Sequence, residues 1–73
     1  MDQKTKYDAV AVGTYIKQKR NYMNKTQEVF AEEAGICVRH LRDIEAGRKR
    51  MSLDIGVNIA RVLQIISEDY YEL

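Results

Sequence analysis

No proline interrupts this chain, and its four glycines stand singly at Gly13, Gly35, Gly47 and Gly56. Proline and glycine are the strongest local breakers of regular structure, so there is little room here for long loops or the dense turns of strand-rich folds. Between the glycines the apolar residues recur at three- and four-residue spacing, the period of an amphipathic helix. A chain of 73 residues makes one domain, and a domain this small buries only about 60% of the surface its unfolded form exposes. The expected fold is all-α, a compact bundle of about five short helices.

Residues 1–7 mix Lys, Asp, Gln and Thr without periodicity and are expected to form a flexible N-terminal arm ahead of a single domain over residues 8–73. A first helix is expected from Asp8 to about Met23, its stripe formed by Val12, Ile16 and Arg20 and widened by Tyr15 and Met23. Thr26 is a suitable N-cap for a second helix carrying Val29, Phe30, Ala31 and Ala34, because its hydroxyl can accept from an otherwise unpaired amide of the next turn. Gly35 then supplies the positive φ that a chain leaving a helix often needs. A third helix runs from Cys37 to Ala46, burying Leu41 and Ile44 and part of Val38, with Ile36 in the intervening turn and Gly47 at its end. Arg48, Lys49 and Arg50 form a basic loop. Ser52 caps a fourth helix with the stripe Ile55, Ile59, Val62 and Leu63, and Asp54 sits in its first turn, where the helix dipole favours negative charge. Gly56 costs about 1 kcal/mol relative to alanine inside that helix and is read as a site of close packing. Ile65, Ile66, Tyr70, Tyr71 and Leu73, with Ser67 as a further cap, are too apolar for a solvated tail.

Hydrophobic residues make up 45% of the chain and charged residues 32%, an ordinary globular mixture that excludes a disordered or membrane-embedded composition. A net charge of +1 is low for a nucleic-acid binder, so the distribution matters more than the sum. It is segregated. Lys17, Lys19, Arg20 and Lys25 meet no acid between them, Glu28, Glu32 and Glu33 follow, and Arg39 to Arg50 is again net positive before an acidic C-terminal stretch. Cys37 is the single cysteine and His40 the single histidine, so neither an internal disulfide nor a zinc site is expected, and no cofactor is implied. The first residues lack the apolar run of a signal peptide, and no stretch approaches the roughly 18 apolar residues of a membrane span; a reducing, cytoplasmic setting without membrane association is expected. Paired carboxylates, a nucleophile with its base and a phosphate-cradling glycine loop are all missing, and no enzyme is expected.

The informative stretch is TQEVFAEEAGICVRHLRDIEAGRKRMSL, from Thr26 to Leu53. Two short helices joined at Gly35 make a helix-turn-helix pattern, with Ala31 small where the second helix crosses the third. Such an arrangement exposes the N-terminal half of the third helix, the end that can face a DNA major groove. At this point the chain, over roughly residues 9 to 71, resembles the Cro/C1-type helix-turn-helix family, also called the XRE family. The elements that carry the resemblance are Ile16 and Arg20, TQ at Thr26 and Gln27, Ala31, AG at Ala34 and Gly35, IEAG from Ile44 to Gly47, SL at Ser52 and Leu53, and IA at Ile59 and Ala60.

The resemblance implies a lambda-repressor-like bundle that binds double-stranded DNA and regulates transcription in a repressor-like manner, with a bacterial, phage or mobile-element origin. Gln27 matches a family glutamine that anchors a phosphate at a helix N-terminus. Cys37, Val38, Arg39 and Asp43 match groove-facing positions, with Arg42 on their flank. Arg39 is the best base reader, since a guanidinium can bond both acceptors of guanine. Val38 can touch a thymine methyl, Arg42 suits guanine or phosphate, His40 is a phosphate candidate, and Asp43 either accepts from cytosine or, the favoured reading, orients Arg39 by pairing at i+4. Cys37 stands where the family usually has Ser or Thr, and a thiol is the weaker cap. Arg20 and Glu45 match a structural pair linking the first helix to the end of the third. Arg48, Lys49 and Arg50 would grip the DNA backbone, although Met51 replaces a proline common near this position. Family precedent also implies a homodimer on a palindromic operator, with Ile65, Ile66, Tyr70, Tyr71 and Leu73 as the interface. Two other readings stay open: a protein-interaction or antitoxin-type module of the same fold, and the DNA-binding end of a longer, effector-controlled regulator.

Overall fold

Three of the four helices begin on a side-chain oxygen that accepts from an amide of the first turn, and these contacts fix where the chain becomes helical. In the computed structural model, which describes residues 6–66, α1 spans Ala9–Tyr22, α2 Gln27–Ala34, α3 Val38–Glu45 and α4 Leu53–Val62. Asp8 accepts from Ala11 N at 3.0 Å, Thr26 Oγ1 from Val29 N at 3.1 Å and Ser52 Oγ from Ile55 N at 3.2 Å. Each satisfies one of the amides a helix start leaves unpaired, worth about 1 kcal/mol per cap. Gly35 ends α2 with φ 76°, a left-handed conformation that a Cβ would penalise. Among the described residues there is no strand and there are four helices; a fifth would fall on residues 67–73, outside those described.

α1 packs on α3, and α2 packs on both α3 and α4. Phe30, Leu41, Ile44 and Ile59 are the large side chains fully enclosed between them, joined by Ile16, Ala31, Ala34 and Leu63. Burying each large side chain contributes about 1.5 to 3 kcal/mol. Val12, Met23, Ile36, Val38, Met51, Ile55 and Val62 close over this core from its edges. Tyr15, expected to widen the buried stripe of α1, is instead 48% exposed. It lies one position before Ile16, and about 100° of rotation per residue carries it out of contact.

Gly56, expected at a site of close packing, does not mark one. A Cβ at Gly56 would meet only the Met51 methyl, at 3.9 Å, whereas a methyl group at Gly13 would overlap the backbone carbonyl oxygens of Ile44 and Glu45. The hydrogen atom of Gly13 thus lets α1 lie directly on the C-terminal turn of α3. Gly47 is held in the same way, with a Cβ there falling 2.8 Å from Val10 Cγ2.

One ion pair is enclosed in this packing. Arg20 on α1 is 6% exposed and Glu45 on α3 is 7% exposed. Arg20 Nε donates to Glu45 Oε2 at 2.7 Å and Nη2 to Oε1 at 3.0 Å, while Nη1 donates to the Lys25 carbonyl at 2.8 Å. Gln27 Nε2 donates to Glu45 Oε1 at 2.9 Å. The pair expected from the sequence therefore forms, in bidentate geometry, and also ties in the α1–α2 turn and the start of α2.

Urea unfolding checks this packing. Gly13→Ala should destabilise the domain by about 1 to 3 kcal/mol through overpacking, while Gly56→Ala, with open space and a helical backbone, should stabilise it by about 0.5 to 1 kcal/mol. Glu45→Ala strands a buried guanidinium and should cost about 3 to 5 kcal/mol, whereas replacing Arg20 and Glu45 together by leucine should recover most of that loss.

Candidate nucleic-acid interface

α3 divides its residues between two faces. Leu41, Ile44 and Glu45 point inward, so Arg39, Arg42, Asp43 and Ala46, spaced at i, i+3, i+4 and i+7, share the opposite side. Arg39, Arg42 and Ala46 are exposed and Asp43 is partly covered. Beyond the helix the chain turns through Gly47, and Arg48, Lys49 and Arg50 are all exposed. Six of the candidate residues, Cys37 at the cap of α3, Arg39 and Arg42 on it, and Arg48, Lys49 and Arg50 in the loop that continues it, thus stand in solvent. Gln27, Val38, His40 and Asp43 are half-buried.

The start of α3 differs from the other helix starts. Cys37 occupies the cap position with extended backbone and makes no side-chain hydrogen bond to the first turn, as its weak acceptor sulfur leads one to expect. Val38 packs against the core, leaving part of its surface outward. His40 turns inward: its Nε2 is enclosed and has no hydrogen-bond partner among the described residues. With the ring as it stands, that enclosed nitrogen does not face a phosphate.

Each of two exposed arginines is held by an acid. Arg42 Nε donates to Gln27 Oε1 at 3.2 Å and its Nη2 lies 3.3 Å from Glu28 Oε2. Gln27 therefore bridges the buried Glu45 and the exposed Arg42, donating one bond to the interior pair and accepting one from the surface. Asp43 does not orient Arg39 by pairing with it. It accepts from Arg48 Nε at 3.1 Å and Nη2 at 2.9 Å, because the turn at Gly47 folds Arg48 back over the last turn of α3. The hydrogen bond from Arg48 holds the Asp43 carboxyl below the usual carboxylate value, partial desolvation opposes the shift, and the positive charges of Arg48, Lys49 and Arg39 reinforce it. A carboxyl lowered in this way binds its proton more weakly when folded. Its stabilising contribution is complete above the unfolded value and lost as pH falls through the folded one, so at neutral pH Asp43 is ionised and able to accept from Arg48.

The two basic blocks of the sequence behave differently. In the first, Arg20 is consumed by the buried pair and Lys25 pairs with Glu33, leaving Lys17 and Lys19 on α1; in the second, Arg39, Lys49 and Arg50 have no acidic partner within salt-bridge distance among the described residues. The outward face of α3 and its following loop thus carry three cations open to an anion, Arg39, Lys49 and Arg50.

Sequence reasoning missed two residues near this surface. Glu28, which holds Arg42 across fourteen positions, leaves no local spacing signal. Tyr7, placed in the arm, is half-buried against the basic loop, its hydroxyl accepting from Met51 N at 3.3 Å. A bulky residue immediately before an N-cap aspartate was the available signal, because that position often packs back on its helix. Of the expected interface residues, Ile65 is 51% exposed and Ile66 is half-buried, while Tyr70, Tyr71 and Leu73 lie outside the described residues.

No described helix is long and apolar enough to cross a membrane. No curated protein and no solved structure matches the chain. A family model described as helix-turn-helix matches residues 16–71, which takes in α2, the turn at Gly35, α3 and α4 together with the Arg20–Glu45 pair. With that match over most of its length, the chain belongs to the Cro/C1-type helix-turn-helix family of DNA-binding domains.

Proposed function

We propose that this chain is a sequence-specific transcriptional regulator of the repressor kind, which inserts α3 into the major groove of duplex DNA. The observation that supports this reading best is the outward face of α3, where Arg39 and Arg42 stand beside the exposed Arg48, Lys49 and Arg50 with the rest of the helix anchored in the core. Arg39, free of acidic partners, bonds the two acceptors of a guanine, a contact worth about 1 to 3 kcal/mol of discrimination. Cys37 and Val38 lie at the groove-entering end of α3, where the outward surface of Val38 suits a thymine methyl. Arg42 and Gln27 share one phosphate at the rim, the amide of Gln27 retaining a second N–H beyond the one given to Glu45. Arg48, Lys49 and Arg50 follow the backbone beyond the helix, and Asp43 holds Arg48 in place.

A single domain of this size covers few bases, and pairing across a two-fold axis doubles the contact and makes the site palindromic. Support for a homodimer comes from the C-terminal end, where Ile66 lines an apolar groove with Leu53, Val57 and Ala60 and Ile65 is exposed beside it. A cytoplasmic location goes with this reading.

Selection of bound sequences from random DNA should enrich a palindrome. With that operator, fluorescence anisotropy should show Arg39→Ala losing about 5- to 150-fold in operator affinity with a much smaller loss on random duplex. Lys49→Ala should weaken both about equally and make the dependence of affinity on salt shallower by about one phosphate. Equal losses on both duplexes for the two variants would defeat the assigned roles. Wild-type protein with no salt-sensitive affinity for any duplex would favour a protein-interaction module instead.

A further inference from the structure

We infer that Tyr7 is a positioning residue for the basic loop, holding Arg50 and the backbone of Met51 in the arrangement that meets DNA. This rests on the DNA-binding reading above. The loop between Glu45 and Leu53 has no helix of its own, and three side chains from outside it keep its course. Val10 lies under Gly47, Asp43 holds Arg48, and Tyr7 holds the far end. The Tyr7 hydroxyl accepts from Met51 N at 3.3 Å, and the Arg50 guanidinium carbon lies over the Tyr7 ring, 4.8 Å from its centroid.

These two contacts do different things. The hydroxyl satisfies a backbone amide just before α4 begins, fixing where the loop ends. The ring attracts the guanidinium through its electron-rich face, and a ring face holds that charge without occupying the N–H donors of arginine. Asp43, by contrast, occupies two donors of Arg48. Arg50 is therefore held in place while its donors stay available to a phosphate, which lowers the ordering cost of the contact. Tyr7 also shares the loop's position with the start of α1, because Asp8, the next residue, caps that helix. The basic loop is thus referenced to α1, the helix that packs on α3, so Arg50 and Arg39 are held in one frame.

The test is a double-mutant cycle on duplex affinity, with hydrogen exchange of the Met51 amide as a readout independent of DNA. Tyr7→Leu should weaken binding about two- to five-fold, the range of an exposed cation–π contact, and should have a clearly smaller effect in an Arg50→Ala background, where only the hydroxyl contact to Met51 is left to lose. Tyr7→Phe, which keeps the ring, should lose less affinity but should release the Met51 amide to fast exchange. A general loss of fold stability would lower affinity equally in both backgrounds and would overturn the inference, as would wild-type affinity in Tyr7→Leu. Fast exchange of Met51 in the wild-type protein would overturn it without reference to DNA, whereas protected Met51 with no duplex binding at all would defeat the DNA-binding reading and the role of Tyr7 in it.

Discussion

The orientation of α3 depends on one buried ion pair. Arg20 reaches from α1 to Glu45 in bidentate geometry, spends its remaining terminal nitrogen on the Lys25 carbonyl, and leaves Glu45 to take a further bond from Gln27. Desolvating two charges is expensive, and an isolated pair of this kind adds little net stability. Its value lies in what it forbids. Glu45 can be buried only where the guanidinium waits, so a turn of α3 about its axis by one residue, about 100°, would carry a carboxylate away from its partner and bring Arg42 or Ala46 toward the core. The pair thus fixes which face of α3 looks outward, and Arg39 and Arg42 are exposed because Glu45 is not.

Small residues make that geometry reachable. Gly13 lets α1 settle on the carbonyl groups of Ile44 and Glu45, bringing Arg20, two helical turns further on, within hydrogen-bond distance of Glu45. Ala31 and Ala34, each 2% exposed, do the same for α2 against its neighbours, and the left-handed Gly35 reverses the chain within one residue. In a core this small, each close approach shortens the distance the few large side chains must fill, and Phe30, Leu41, Ile44 and Ile59 suffice.

The helix starts, the turn at Gly35 and the apolar stripes were legible because each is a local matter: a hydroxyl or carboxylate three residues before an amide, a period of 3.6, a glycine at a reversal. The Arg20–Glu45 pair was legible only through family resemblance, since twenty-five residues separate the partners. What failed depended on the path of the chain between elements. A glycine inside a helix signals either a tight crossing or nothing, and only the packing distinguishes Gly13 from Gly56. The spacing of Asp43 suits Arg39 as a partner, yet the turn at Gly47 delivers Arg48 more closely. Tyr7 read as part of an arm because its contacts lie forty-four residues away.

The acids beside the proposed DNA face explain how a chain of net charge +1 can bind a polyanion selectively. Glu28 and Asp43 each engage an arginine in the free protein, and exposed pairs like Glu28–Arg42 are worth only about 0 to 1 kcal/mol, little enough for a well-placed phosphate to displace. An arginine already paired gains less from a phosphate than a free one, so the acids reduce sequence-independent attraction at every position along the duplex. Arg39 is unpaired, and in the proposed complex its contact is the one that depends on the base. In the proposed complex the arrangement would lower the non-specific contribution while leaving the base-reading one intact, so discrimination between sites would not require a large total charge.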